Sequence, residues 1–318
     1  MSKVRYILLV ALTVLLAAAC QRRPMEDEYL RVYLDLNINR DITNYEPLDS
    51  EPGLMRVAFF NSQTGDYLSH DFVPHTGGYI FAPSGEVDMV VYNVEAGETR
   101  VREYYSWSNI EAYTNQISEM QRSRLTSYLQ SRVDSRPSYD DIRLTPGHLF
   151  VASERNIHIP QHISDEVFII RTTANTVVES WTVEVSGITG MEWVGSISMM
   201  LSGQVASNFI ATDTRSTDPV AIYFDVVDAS RQSSVVNARF ETFGREHTSG
   251  DAALLSILFT DVQGHPYLYN FDVSDQMVSN PKQHIVIRGD INIPKPEIGG
   301  GFKPEVEDWK EHEYDIDI

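Results

Sequence analysis

The chain has 318 residues and a formal net charge of −20, from 25 Lys and Arg against 45 Asp and Glu, with one cysteine. Phosphate recognition needs clustered Lys and Arg, so this balance excludes a nucleic-acid partner and argues against electrostatic adhesion to anionic membranes. A single cysteine excludes an intramolecular disulfide framework and a multi-cysteine metal site.

Residues 1–19 read as a signal peptide. Lys3 and Arg5 form the positive n-region, and Ile7 to Leu16 form an apolar stretch broken only by Thr13. Ala17, Ala18 and Ala19 supply the small residues a signal peptidase accepts. The apolar run is shorter than the about 20 residues a transmembrane helix needs, and no later stretch approaches that length. Cys20 follows directly, in a setting that resembles a bacterial lipobox, with the favoured Leu one place early at Leu16 and Ala17 in its slot. On this reading Cys20 is the lipidation residue, held by acyl chains that contribute about 0.8 kcal/mol per buried methylene. The alternative is an ordinary secretory signal followed by an incidental cysteine. Removal of residues 1–19 takes away two basic and no acidic residues, which makes the net charge −22. Residues 20–28 read as a lipidated tether, and the Glu26-Asp27-Glu28 cluster is either simply solvated or similar to the surface-export signal of Bacteroidetes lipoproteins.

Such a length exceeds the usual size of one core, so two domains are expected, at 29–152 and 153–298. Leu30, Val32, Leu34, Leu36 and Ile38 alternate with polar neighbours, the period-2 signature of a half-buried strand. Met55 to Phe60 and Asp66 to Val73 flank Asn61-Ser-Gln-Thr-Gly65 and predict a hairpin. Val87 to Tyr92 and Thr99 to Ser106 are further strand candidates. Ser108-Asn109-Ile110-Glu111 matches a helix capping box. Ile110, Tyr113, Ile117, Met120, Leu125, Tyr128 and Leu129 continue at helical spacing, so one helix is expected in the first domain, ending before Pro137. Its apolar stripe is assigned to packing on a sheet, with a partner as the alternative. His148 to Ala152 is a strand candidate, and the polar run Ser153-Glu-Arg-Asn156 marks the expected boundary.

Beyond it the spacing is regular. Strands are expected at 167–172, 181–185, 197–201, 220–227, 235–242, 254–260, 267–273 and 284–291, with Asp261-Val-Gln-Gly264 as a turn. Short strands separated by turn residues predict a mainly all-β chain built as antiparallel sandwiches, and the lack of alternating long helices excludes a βαβ sheet.

The sequence contains no G-x-S-x-G elbow, P-loop, H-E-x-x-H pair or EF-hand spacing. His158 and His162 are four apart, but Pro160 between them makes loop histidines the better reading than a zinc pair. Asp140/Asp141 and Glu241/Glu246 carry no weight in so acidic a chain, and His247 with Ser249-Gly250-Asp251 reads as a hairpin loop. No catalytic set, metal site or cofactor is implied. Tyr104, Tyr105, Trp107 and Tyr113, with Trp181, Trp193 and Trp309, leave open a carbohydrate-binding reading, against a role in the cores.

Residues 299–318 read as a tail. Gly299-Gly300-Gly301 is a flexible joint, and Tyr314, Ile316 and Ile318 alternate with Asp315 and Asp317 in a strand pattern. This strand either completes the chain's own sheet, stays disordered, or pairs with a neighbouring subunit by strand addition.

A lipobox-like start, a first strand about ten residues after it, one early helix and two β-rich halves together resemble the fimbrial anchor and accessory lipoproteins of Bacteroidales. Trp181-Thr-Val-Glu-Val-Ser-Gly187 and Leu201-Ser-Gly-Gln-Val-Ala-Ser207 are similar to that family's strand followed by a Ser-Gly turn, and Gly299-Gly-Gly-Phe302 with Val306 and Trp309 is similar to the ending of some Bacteroides members. The resemblance implies two tandem transthyretin-like Greek-key β-sandwiches. It also implies a non-catalytic, lipid-anchored role at the outer membrane, with fimbrial subunits as partners, holding a fimbrium or regulating its length. Stalk subunits of this group are trimmed by proteolysis in the N-terminal domain. Here Arg22-Arg23 lies directly after the lipid site, where cleavage releases the protein, and this favours an anchor or accessory role over a stalk role.

Overall fold

A computed structural model describes residues 29–44, 51–129, 141–162, 166–229, 234–245, 252–278 and 280–296. Strands β1 (Tyr29–Ile38), β2 (Leu54–Asn61), β3 (Tyr67–Pro74), β4 (Gly78–Pro83) and β5 (Gly85–Asn93) come first. Short strands β6 (Thr99–Arg102) and β7 (Glu111–Thr114) precede helix α1 (Glu119–Leu129), and β8 (Ile142–Leu144), β9 (Phe150–Ile159) and β10 (Ile169–Thr176) follow it. The second half contains β11 (Glu179–Thr189), β12 (Val194–Val205), β13 (Ser207–Phe209), β14 (Thr214–Arg215), β15 (Pro219–Ala229) and β16 (Val236–Thr242). After these come β17 (Leu254–Asp261), β18 (Pro266–Asp272), helix α2 (Ser274–Val278) and β19 (His284–Asn292).

Two large sheets result, in the strand orders β3-β2-β5-β9-β10-β1-β4 and β18-β17-β12-β15-β16-β11-β19, with β8 added to β15. Pairing is mostly antiparallel, as the spacing predicts. Parallel pairs that the spacing does not reveal are β1 with β10 and β11 with β19, each joining the first and last strands of a half, while β8 also joins β15 in parallel.

The alternation of β1 buries Val32, Leu34, Leu36 and Ile38 on one face, against Met55, Val57, Phe59, Met89 and Phe150. The opposite face of β2 and β5 is buried too, through Ala58, Phe60, Val90 and Tyr92. Strands covered on both faces read as near-continuous apolar runs, as in Val57-Ala-Phe-Phe60 of β2 and Met89-Val-Val-Tyr92 of β5. The second sheet closes over Trp181, Val183, Val185, Phe224, Phe240 and Phe259.

The predicted hairpin between β2 and β3 is present. Asn61 Oδ1 accepts from the N–H groups of Gln63 (2.9 Å) and Thr64 (3.1 Å), and Gly65 takes φ 75°, a conformation open to glycine without a Cβ clash. Asp261 to Gly264 also forms the expected turn, with Gly264 N–H donating to Asp261 O at 3.0 Å.

The helix differs from expectation. Residues 111–114 form strand β7, and the reciprocal cap lies ten residues later. Ser118 Oγ accepts from Gln121 N–H at 3.3 Å, while Gln121 Oε1 accepts from Ser118 N–H at 3.1 Å. Ile110 and Ala112 are buried in one apolar cluster, and Glu111 is tied across to Arg102 at 2.6 Å. Strand pairing on both sides thus overrides the helical pattern. The helix packs on the outer face of the second sheet, where Leu125 meets Ile117, Ile142, Met200, Ala221 and Leu258.

Both Ser-Gly pairs lie at register shifts within strands rather than at turns. β11 runs through Gly187 (φ 82°) with a register shift between Ser186 and Ile188, and β12 runs through Gly203 (φ 70°) with a shift between Leu201 and Gln204. A glycine in the left-handed region lets one strand carry an extra residue while the sheet continues. The run Ser153 to Asn156 has a similar origin. It lies inside β9 beside a register shift of β5, and the buried Asp88 carboxylate accepts from Asn156 N–H (2.8 Å) and Arg155 Nε (3.1 Å). The first sheet extends through β10, and the chain passes to the second sheet at Val177 and Val178.

Candidate functional site

Cys20 and the tail residues Tyr314, Ile316 and Ile318 lie outside the described residues, as do Gly299 to Phe302, Val306 and Trp309. What is described is the body they flank, entered at Tyr29 on β1 and left just beyond Ile293. Three features of that body bear on a partner: its sheet edges, the junction of its halves and one exposed face.

The edges of the second sheet are β18 and β19, and side chains occupy the free edge of β19. Gln276 Oε1 accepts from Val286 N–H (2.8 Å), and its Nε2 donates to Val286 O (3.1 Å), which copies the pairing of a neighbouring strand. Tyr269 Oη likewise donates to Asn292 O (2.8 Å) and accepts from Asn292 N–H (3.1 Å). Between them the Phe271 ring lies against Gly289, where an added Cβ would come within 3.2 Å. Edge strands blunted in this way resist casual pairing. In the first sheet the edges β3 and β4 are joined by a turn, and Asp71 Oδ2 accepts from Phe81 N–H at 3.0 Å.

The halves are stitched together. Strand β13 of the second half pairs with β7 of the first inside a four-stranded sheet, β14-β13-β7-β6. Beneath it Phe60, Trp107, Ile110, Leu149, Val205 and Phe243 form one apolar cluster drawn from both halves. His148 borders this junction, with Nδ1 2.9 Å from Thr176 Oγ1. Burial, assisted by the Arg239 guanidinium, pushes its pKa down to about 4. Asp261 is held below the usual carboxylate range. Burial works to raise it, but the N–H groups of His265 and Gln263 and the His265 ring outweigh that.

The exposed face is formed by β10, β1 and β4. Tyr33 is in register with Tyr79 on one side and Ile169 on the other, and Arg31 is in register with Phe81. Tyr33 and Tyr79 make an edge-to-face pair at 5.2 Å, and the Arg31 guanidinium lies 4.2 Å from the Tyr79 ring centroid. Tyr29, Tyr79 and Phe81 are 47%, 51% and 58% exposed. Strand β4, and with it this face, does not stand out in the sequence, because Gly78 and Pro83 bound the strand. The alternation of Ile80 and Ala82 with Tyr79 and Phe81 was the available signal.

The aromatics considered for carbohydrate binding fall into two separate groups, Tyr104, Tyr105 (ring centroids 4.2 Å apart) and Trp107 in one and Trp181 and Trp193 in the other. Trp107 and Trp181 are buried in different clusters, Tyr104 and Trp193 pack half-buried against those same two, and Tyr105 is exposed. His158 is an exposed residue of β9 paired with Glu86 at 2.7 Å, and among the described residues no group of three His, Cys, Asp or Glu is arranged to hold a metal. Glu241 hydrogen-bonds with Thr145 and Arg239 and Asp141 with Arg143 and Gln116, while Asp140, Glu246, His247 and Ser249 lie outside the described residues.

Comparison with known proteins adds three findings. A family model described as a domain of unknown function (DUF5119) matches residues 19–225. A Bacteroides ovatus protein named "Putative fimbrium anchoring subunit Fim4B" is 23% identical over an alignment covering 97% of each chain. The crystal structure of a "putative adhesin" from Bacteroides ovatus shares the fold with a TM-score of 0.60 and 22% identity, over 87% of this chain and 98% of that one.

Proposed function

The chain belongs to the DUF5119 family, and on that premise we propose that it is a non-catalytic cell-surface lipoprotein that anchors a fimbrial polymer at the outer membrane. The observation that carries this reading is the end-to-end correspondence, 97% of each chain, with a relative named as a fimbrium anchoring subunit. Cys20 carries the lipid. It sits nine residues before β1, so acylation there leaves the whole described body outside the membrane. Partner subunits bind by β-strand addition, with Tyr314, Ile316 and Ile318 as the donated strand. The Gln276 and Tyr269 contacts support a donated tail, because they occupy the edge of β19, the described strand nearest the tail in sequence, against self-completion there.

The test separates the two attachments. Wild-type cells fed an alkyne-tagged fatty acid should label the protein, and Cys20→Ser should abolish the label and release fimbriae into the medium. A wild-type protein that takes no label defeats the lipoprotein reading. Deletion of residues 302–318 should leave labelling intact and impair fimbrial attachment; unchanged attachment defeats the role given to the tail. The glycan-binding alternative predicts coplanar exposed rings among Tyr104, Trp107, Trp181 and Trp193, and their dispersal over two clusters does not favour it.

A further inference from the structure

We infer that the aromatic face of β10, β1 and β4 rests on the membrane surface and sets the orientation of the protein on its lipid anchor. This rests on Cys20 being the attachment point. The face is graded along its length. At the end of β1 nearest the tether it presents Tyr29, Arg31, Tyr33, Tyr79 and Phe81, with the exposed Val167 and Ile169 beside them. A few residues further along the same strands it becomes polar, with Asp35 paired to Arg171 at 3.3 Å and Asn39 donating to Asn175 at 2.9 Å. Solubility alone would not place the apolar end consistently beside the tether.

The chain between Cys20 and Tyr29 limits what can cover this end. Nine residues reach about 30 Å at full extension and about 17 Å as a flexible coil. The tether therefore holds Tyr29 within a short distance of the bilayer, at a high effective concentration that lets a weak contact be populated. Tyr, Phe and Arg suit such a surface, because an apolar body enters the interface while a hydroxyl or guanidinium stays among the headgroups. Charge is consistent with this. In a chain of net charge −20, the charged group among those seven side chains, six of them exposed and Tyr33 half-buried, is the cation of Arg31. The occupant is thus a zwitterionic headgroup surface rather than a strongly anionic one.

Because Cys20 is the single cysteine, the unacylated chain from residue 20 can be coupled through its thiol to maleimide-bearing lipid in phosphatidylcholine vesicles. That places the attachment point correctly whether or not cells acylate it, so this experiment and the labelling test above fail independently. Hydroxyl-radical footprinting then reads side-chain access. Oxidation of Tyr29, Tyr79 and Phe81 should fall at least about three-fold on coupling, relative to thiol-capped chain mixed with the same vesicles, while Tyr105 stays unchanged. Equal oxidation in both samples overturns the proposal. So does equal protection of the capped chain at matched concentration without vesicles, which would assign the face to a second copy of the chain. Added fimbrial subunit protecting these residues of the coupled chain when the membrane alone does not would assign it to a protein partner, and this also overturns it.

Discussion

Ala112 of β7 lies directly opposite Asn208 of β13, so a strand from the first half of the chain and one from the second share a single antiparallel ladder. Next to that ladder Trp107 packs edge-to-face on Phe60 at 5.6 Å, inside the cluster that also takes Val205 and Phe243. A load passed from the first half of the chain to the second crosses this junction. It is held by apolar burial and backbone pairing rather than by one linker.

Trp107→Ala should therefore destabilise the chain as a whole. Truncating a buried aromatic costs about 3–5 kcal/mol. The variant should lower a single thermal transition, measured by circular dichroism and calorimetry on the same sample. Loss of one half with the other unchanged would contradict a shared core.

The cap of α1 gives a sharper comparison. Ser118 and Gln121 satisfy each other's backbone N–H groups, whereas the nearest polar contacts of Ser108 Oγ are at 3.4 Å, to Ser106 and Asn109. Ser118→Ala should cost about 1 kcal/mol, and Ser108→Ala less than about 0.5 kcal/mol. Urea midpoints of the two variants decide it, and equal effects would count against the assigned start of the helix.

The same pair of serines shows what was legible in the sequence. Both precede a glutamine or glutamate three residues on, so local chemistry alone cannot choose between them. The choice is made by β6 and β13, which claim residues 111–114 as a strand from partners up to about a hundred residues away. Strands whose burial alternates or whose run is largely apolar, such as β1, β5 and the longer strands between β10 and β19, announce themselves locally. β13 and β14 do not, since strands of three and two residues exist through what they pair with. Gln276 was invisible for a related reason: it fills its role through Val286 ten residues away, and no spacing rule marks an amide that imitates a strand.

Acid should weaken the junction in a defined window. His148 titrates near 6.5 in the unfolded chain and at about 4 in the folded one. Between these values the unfolded state binds the extra proton, so stability falls as pH drops from about 6.5 toward 4, by up to about 3 kcal/mol. Above that window this histidine contributes no pH dependence. Asp261, whose folded pKa is depressed, adds a loss in the same direction that develops only in more acidic solution, as pH falls through its folded value. Chemical denaturation at a series of pH values from 7.5 to 4.5 should show a slope that His148→Gln largely removes. A variant with the wild-type slope would place the acid sensitivity elsewhere.

Gly187 tests the register shift between β11 and β19, at which β19 carries the extra residue. At φ 82° an L-residue is strained, and an added Cβ would stand 2.1 Å from the carbonyl oxygen of Gly289 on β19. Gly187→Ala should cost at least about 2 kcal/mol, because a left-handed non-glycine conformation alone costs about 1–3 kcal/mol before the collision is counted. Gly53, with φ outside the left-handed region and no atom within 4 Å of a built Cβ, is the matched control and should tolerate alanine. The measurement is again the denaturation midpoint, with a similar cost at both sites as the disproving result.

Gln276→Ala reaches function most directly. The substitution removes both hydrogen bonds to Val286, leaving an N–H and a C=O of β19 open on a sheet edge. Lost intramolecular bonds of this kind cost about 0.5–1.5 kcal/mol each, a modest loss that the fold should survive. The larger consequence follows from the exposed edge, since unpaired strand groups are a template for another chain. Sedimentation velocity should show the variant self-associating at concentrations where the wild type stays monodisperse. A synthetic peptide of residues 312–318 should bind the variant more tightly than the wild type if the edge is a strand acceptor. Unchanged sedimentation with unchanged peptide binding would mean that Gln276 merely decorates β19, and that the route for strand addition lies on another edge.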